Sequence, residues 1–425
     1  MRKFWVLVAL VGTGSVACKR EGGARPGGSS GANAVAAPSV AAAPASSAAI
    51  GEDGCRAPSD YLVAPQKYSD GDLIRALIVD GDRVFFRNAH ELMSVPLAGG
   101  AVVTVGKAPA LSLRGTTELW QLGDELVMQS PGEPIFMKAK KSGGTWTSFI
   151  DLSAAKQGGG RDAATRLLQS LGKAAAPAAS AADFDGKAFY YAEITQGKGR
   201  NAQALSTLKS VAFGGGTPQT LFESPGEISE VTRVGDQLAF HLVLPPTAEQ
   251  LKANEEERKR NKFAFGVSGE NWVMGVPLAG GPGKRLMRLS SLFNGGLIQT
   301  STILGADGSR LYVSGYAEED LQKPGVFRID LPSGDSVQLD KRFIRGKAYV
   351  SGAEVVLVGS GTVAPGKGRG TLVLTVPRDG KSVTLVSCIA NTWSLHASAL
   401  APHAVLLSLF ETSTGMASIA RLPLH

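Results

Sequence analysis

Seven times along the chain a short apolar run rises out of a small turn residue: Gly81-Asp-Arg-Val-Phe-Phe, Gly123-Asp-Glu-Leu-Val-Met, Gly186-Lys-Ala-Phe-Tyr-Tyr, Gly235-Asp-Gln-Leu-Ala-Phe, Gly308-Ser-Arg-Leu-Tyr-Val, Gly352-Ala-Glu-Val-Val-Leu and Pro402-His-Ala-Val-Leu-Leu. Successive starts lie 42 to 73 residues apart. A unit of that size cannot bury its own apolar face, so it must stack on its neighbours. Repetition of this kind dictates an architecture and leaves the chemistry open.

A second signal repeats downstream of the first. A strand runs into a glycine turn at Val95-Pro-Leu-Ala-Gly-Gly100, Val211-Ala-Phe-Gly-Gly-Gly216, Val276-Pro-Leu-Ala-Gly-Gly281, Ile329-Asp-Leu-Pro-Ser-Gly334 and Val376-Pro-Arg-Asp-Gly380, and more weakly at Met137 to Gly144. Another β-rich stretch follows each, such as 102–105 or 336–339. Glycine there supplies the positive φ of a tight hairpin. Each unit therefore reads as inner strand, turn, second strand, loop, third strand, glycine turn, outer strand. The predicted fold is all-β: a single β-propeller of seven four-stranded blades, with six or eight as the neighbouring counts. The 53 glycines, with aromatics at 7% and charged residues at 19%, agree with a turn-rich sheet protein.

The two long gaps between repeats hold the stretches that look least like strand, at about 153–182 and 246–262. They read as insertions in a propeller spanning 55–425, with a short amphipathic helix over 163–171 and a charged one over 247–262. Lys252, Arg258, Lys259, Arg260 and Lys262 alternate there with Glu255, Glu256 and Glu257 and no aromatic is interleaved, so a solvated helical face is expected and a nucleic-acid partner is not. The last unit, after 405–410 and 417–422, lacks one strand. Residues 61–65, ahead of a first inner strand at 73–79, are predicted to supply it and close the ring, which removes the sheet edges of an open fan.

The N-terminus reads as an address. Arg2 and Lys3, the apolar run 4–11 and the small residues before Cys18 make a signal peptide over 1–17. Its removal lowers the formal charge of +7 by two. Ser15-Val-Ala-Cys18 resembles the lipobox of bacterial lipoproteins, which implies that Cys18 carries a lipid and anchors the chain to a membrane. Leucine is usual where Ser15 stands, so ordinary cleavage nearby is the alternative. Lys19, in place of an inner-membrane retention aspartate, points to the outer membrane. Residues 18–54, mostly Ala, Pro, Ser and Gly, form a disordered tether. Cys55 and Cys388 then remain as an even pair in an exported chain, which argues for a disulfide stapling the two ends of the domain, two free thiols being the alternative.

The repeats resemble those of bacterial extracytoplasmic propellers of the TolB-like kind over about 60–425, a resemblance specific for architecture and silent on activity. Gly361 to Lys367 satisfies the spacing of a phosphate loop, but Gly368 replaces the magnesium-binding hydroxyl residue and the flanks are strands, so a hairpin is expected. His90, His241, His396, His403 and His425 form no zinc spacing, and no G-x-S-x-G turn exists. Asp80, Glu118, Asp185, Glu230 and Asp307 lie near inner strands of different blades and could converge on the channel. Propellers of the gluconolactonase type bind calcium through such oxygens. The competing expectation is that each caps a hairpin or is solvated. The combined reading is a monomeric, non-enzymatic envelope lipoprotein that displays a propeller to a protein, glycan or peptide, without a required cofactor. The alternative is a metal-assisted hydrolase or lactonase at the channel mouth.

Overall fold

The computed structural model describes residues 55–424 apart from 68–72, 89, 109–118, 130–134, 152–177, 197–203, 214–215, 261–268, 290–291, 295–296, 300–301, 317–323 and 364–367. Cys18 and the tether lie outside the described residues, as do Glu118, His425, Lys367 and the helix expected over 163–171.

Seven four-stranded antiparallel sheets follow one another as up-and-down meanders. Their inner strands are Ala76–Asp80, Leu119–Leu122, Ala178–Phe184, Glu227–Val234, Thr302–Asp307, Ile344–Ser351 and Trp393–Ala401, numbered here as blades 1 to 7. The third inner strand begins inside the stretch read as an insertion at 153–182. The alanine-rich sequence Ala178-Ala-Ser-Ala-Ala carries little strand propensity, and pairing with the second strand of blade 3, Ala188–Gln196, overrides it. The first inner strand likewise starts at Ala76, later than expected. A small extra hairpin, Leu292–Asn294 with Leu297–Gln299, lies between blades 4 and 5.

Each blade places an apolar second strand between two partners, and its two faces pack against adjacent blades. Among the described residues this gives seven apolar clusters, one per seam. Phe85, Leu92, Leu126 and Met128 fill the seam of blades 1 and 2. Val127, Phe189 and Tyr191 fill that of blades 2 and 3. The following seams are filled around Phe240, Val313, Leu357 and Leu407. The seventh cluster joins Leu406 and Ile419 of blade 7 to Phe86 and Val95 of blade 1, which closes the ring.

Closure uses the N-terminal strand. Tyr61–Gln66 pairs antiparallel with the third strand of blade 7, Met416–Pro423, in the register Tyr61 to Ala420 and Val63 to Ile419. Leu62 and Val63 are buried, and the Tyr61 hydroxyl donates to the Pro58 carbonyl while its ring packs near Trp393. Cys55 and Cys388 form a disulfide across 333 residues, on the outer strand of blade 6 next to the closing segment. Arg56 extends that contact by a parallel bridge to Ile389.

The inner hairpins explain the turn residues that mark the repeat. Six glycines, from Gly81 to Gly352, have φ between 56° and 85°. In blade 7 the first turn position is Pro402, whose ring locks φ near −65°, so the left-handed conformation moves to His403 at 59°.

Candidate functional site

An up-and-down four-stranded blade sends its inner and outer hairpins to one end and all other connections to the other. The ring therefore has a hairpin face and a connection face. Three of the carboxylates singled out in the sequence, Asp80, Asp185 and Asp307, stand at the same repeat position, just before the inner-hairpin glycine. Each is turned onto the next blade. Asp80 is paired with Lys141 and accepts from Gln121 Nε2 of blade 2 at 2.5 Å. Asp185 accepts from Arg233 Nη1 of blade 4 at 2.8 Å, and Asp183 takes the Arg233 backbone amide at 2.7 Å. Asp307 receives both Nε and Nη2 of Arg378 of blade 6.

These are hairpin-capping and clamping groups, with local bonds to match. Asp185 also accepts from the backbone amides of Lys187 and Ala188, both at 2.8 Å, and from the Tyr190 hydroxyl at 2.9 Å. Burial pushes its carboxyl up, but these donors and Arg233 outweigh burial and hold it below the ordinary carboxylate range. Burial, then the bond to Asp185, pushes Tyr190 up to about 12. Among the described residues no three His, Cys, Asp or Glu side chains gather as a set that could hold a metal ion. For Asp80, Asp185 and Asp307, the convergence on the channel considered from sequence gives way to pairwise neutralisation across seams.

The seam of blades 5 and 6 carries more than its clamp. Arg310 Nη2 donates to Asp379 at 2.6 Å, and Arg328 Nη1 donates to the carbonyls of Arg378 and Gly380 at 3.1 and 2.8 Å. A cavity of about 500 Å³ opens beside this network, lined by Asp307, Arg310, Arg378 and Asp379 and by the hairpin backbone.

Glu230 behaves differently. It lies in the inner strand of blade 4 at a bulge between Ser229 and Thr232, with a left-handed φ of 54°. A non-glycine residue held there stores strain of about 1–2 kcal/mol. The bulge swings its carboxylate to blade 5, where it accepts from Thr302 Oγ1 at 3.1 Å and from the Ile303 amide at 2.8 Å. His241 Nδ1 stands 3.1 Å from the same carboxylate. Burial raises the Glu230 carboxyl, but the His241 charge and hydrogen bond, followed by those of Ile303 and Thr302, bring it below the ordinary glutamate value. His241 is buried, and its Nε2 has no hydrogen-bond partner among the described residues.

Sequence reading found Glu230 and His241 separately and missed the pair. The signal was positional. Six residues after each turn residue stand Arg87, Gln129, Ala192, His241, Ser314, Val358 and Ser408, five of them polar within otherwise apolar strands. This position meets the incoming strand of the next blade. Ser314 Oγ accepts from the Ile344 amide at 2.9 Å, and Ser408 Oγ donates to the Ile74 carbonyl at 2.6 Å. Where blade 3 has alanine, Ser206 of the third strand accepts from the Ile228 amide at 3.1 Å instead. In blade 4 the same task is split between Glu230 and His241. Arg87, fully buried in blade 1, approaches Met128 Sδ of blade 2 at 3.0 Å, and burial and then Arg75 lower its guanidinium to about 10.

No protein-family model matches the chain, and no curated protein matches it in sequence. Its structure is similar to that of oligogalacturonate lyase in complex with manganese, with a TM-score of 0.53 and 11% identity over 87% of this chain and 98% of the lyase. It is also similar to acylaminoacyl peptidase from Pyrococcus horikoshii, with a TM-score of 0.49 and 9% identity over 83% of this chain and 52% of the peptidase. A third similar structure is TolB from Acinetobacter baumannii, with a TM-score of 0.36 and 11% identity over 81% of this chain and 78% of TolB. At these identities the likeness is one of fold, and the chain is a seven-bladed β-propeller.

Proposed function

We propose that this protein is a lipid-anchored envelope component whose propeller presents its connection face as a binding or assembly surface for a protein, glycan or peptide. The observation that carries this reading is that the three longest excursions leave from that one face. They are residues 152–177 between blades 2 and 3, 244–270 within blade 4, and 290–301 between blades 4 and 5. The opposite face consists of hairpin turns, where Asp80, Asp185 and Asp307 are engaged in clamps. Long excursions on a rigid scaffold are where binding concentrates. The helix Ala248–Arg260 suits display: Thr247 and Gln250 cap it reciprocally at 2.8 and 3.2 Å, and it projects Leu251 and a run of charges into solvent. Cys18 would anchor the chain to the membrane through the tether.

Photo-cross-linking residues placed at Leu251 and His90 on the connection face, and at Lys187 and Ala353 on the hairpin face, test it in intact cells of the producing organism. Adducts are expected from the first pair alone; adducts confined to the second overturn the assignment. Intact mass of the mature protein checks the anchor, through acyl mass on a chain beginning at Cys18.

A second reading, catalysis at the channel mouth, has the strained Glu230 with His241 in its favour. The Glu230 carboxylate, 36% exposed beside the buried His241, is the group that would act as the base. Turnover of a lactone or ester panel that Glu230→Gln abolishes without loss of folding would establish it.

A further inference from the structure

Asp307 and Tyr312 of blade 5 repeat a spacing found in blade 3, where Tyr190 follows Asp185 by the same five residues. The two pairs end differently. The Tyr190 hydroxyl donates to Asp185 Oδ2 at 2.9 Å. Asp307 is instead taken by Arg378, and the buried Tyr312 hydroxyl has no hydrogen-bond partner among the described residues. Burial and then the Asp307 charge raise the Tyr312 phenol, so it keeps its proton and remains a donor. Tyr312 stands opposite Arg328 in the strand register, and Arg328 Nε, also buried, is likewise unbonded. A buried donor without an acceptor is costly, and the clamp as it stands uses neither of these.

The cavity of about 500 Å³ at this seam opens onto the partners of two carboxylates. Arg378, which holds Asp307, is partly exposed there. Arg310 holds Asp379, whose side chain is 89% exposed, so water can receive that carboxylate when another acceptor takes its place. With Asp379 in solvent, the guanidiniums of Arg310, Arg328 and Arg378 face only the carboxylates of Asp307 and Asp330, an excess of one positive charge. The volume is within the range of small-molecule sites.

We propose that this cavity binds a small organic monocarboxylate, which replaces Asp379 on Arg310 and Asp307 on Arg378 while Asp307 turns to the Tyr312 hydroxyl. The turned pair reproduces the Asp185–Tyr190 bond of blade 3. Carboxylate replaces carboxylate on both guanidiniums, and the exchange satisfies a buried donor that the free protein leaves bare. A phosphate monoester carries about two negative charges near neutral pH, more than the excess the site offers. The site lies on the hairpin face and goes beyond the connection-face reading, on which it does not depend. A small acid leaves no protein adduct at Ala353.

The test is isothermal titration of the mature protein, in buffer free of carboxylate and phosphate, with N-acetylglycine, N-acetylglycinamide and methyl phosphate. N-acetylglycine is expected to bind, and more tightly than methyl phosphate; the amide is not. Asp379→Asn, an exposed change, should tighten binding because it weakens the competing internal ligand. Tyr312→Phe should weaken binding about fivefold, the worth of one net hydrogen bond, without lowering the melting temperature of the free protein. Tyr190→Phe should do the reverse, lowering the melting temperature and leaving the affinity unchanged. Absence of N-acetylglycine binding in wild type and Asp379→Asn alike, equal binding of the amide, tighter binding of methyl phosphate, or full affinity in Tyr312→Phe overturns the proposal. Cross-linking at Leu251 is read separately, so failure of this site and failure of the connection-face reading are distinguishable.

Discussion

Arg378 closes both its Nε and its Nη2 onto the carboxylate of Asp307 across the seam of blades 5 and 6, with Nε to Oδ2 at 2.7 Å. The two residues differ in surroundings: Asp307 is buried, whereas the Arg378 side chain is 43% exposed. Removing one partner therefore should not equal removing the other. Arg378→Met strands a buried carboxylate, whereas Asp307→Asn leaves a guanidinium that water can solvate. We expect Asp307→Asn to cost about 1 kcal/mol, a single net hydrogen bond, and Arg378→Met to be the more harmful change. Urea denaturation of both variants checks the order.

The serine latches give a second asymmetric pair. Ser314→Ala leaves the buried Ile344 amide without the hydroxyl that accepts from it, and a loss of about 1–3 kcal/mol is expected. Ser408→Ala deprives only the Ile74 carbonyl, and under-satisfied carbonyls are tolerated better than orphaned amides. Its loss should be smaller in the same denaturation experiment.

Glu230 predicts an acid limb of stability. Its folded carboxyl lies below the ordinary value, so the stabilisation it provides is complete above the unfolded pKa of about 4.3 and is lost as pH falls through the lower folded value. Asp185, also held low, should contribute in the same direction. Glu230→Gln is expected to reduce the slope of stability against pH below about pH 4.3, as measured by denaturant midpoints between pH 3 and 7. An unchanged slope would show that the Glu230 carboxylate is not held as described.

The Cys55–Cys388 bond closes a loop of 333 residues. In the chain-entropy account such a closure stabilises by about 5–6 kcal/mol, so reduction should lower the unfolding midpoint strongly. Cys55→Ser, Cys388→Ser and the double variant should match one another and the reduced wild type. Differences between the two single variants would point to a role for one thiol beyond the bond.

His403 offers a stabilising change. It occupies a left-handed turn position where the other six blades solve the same problem with glycine one residue earlier. His403→Gly should raise stability by up to about 1 kcal/mol, because the strain removed exceeds the added freedom of the unfolded chain. A thermal melt is sufficient to detect it.

The repeat, the hairpin glycines, the charged helix and the strand that completes blade 7 were all legible in the chain. Each depends on local chemistry: alternation in Val84-Phe85-Phe86, a positive φ at Gly81, the Thr247 cap, or a missing fourth strand whose candidate sits just before blade 1. The hairpin between 292 and 299 was not, because three-residue strands carry too little pattern. The shift of blade 3's inner strand to Ala178 was hidden by alanines that only pairing makes extended.

The sequence by itself determined a seven-unit ring and placed Asp80, Asp185, Asp307 and Glu230 near inner strands of different blades. Only the tertiary structure decided that the first three clamp neighbouring blades, and that Glu230 meets His241 of its own blade while crossing a seam to Thr302 and Ile303. The reason is the range of the interactions. Strand alternation and turn conformation act over a few residues and repeat with the chain, whereas a charge finds its partner across a seam from residues some 50 to 70 positions away, at a distance set by how the blades pack.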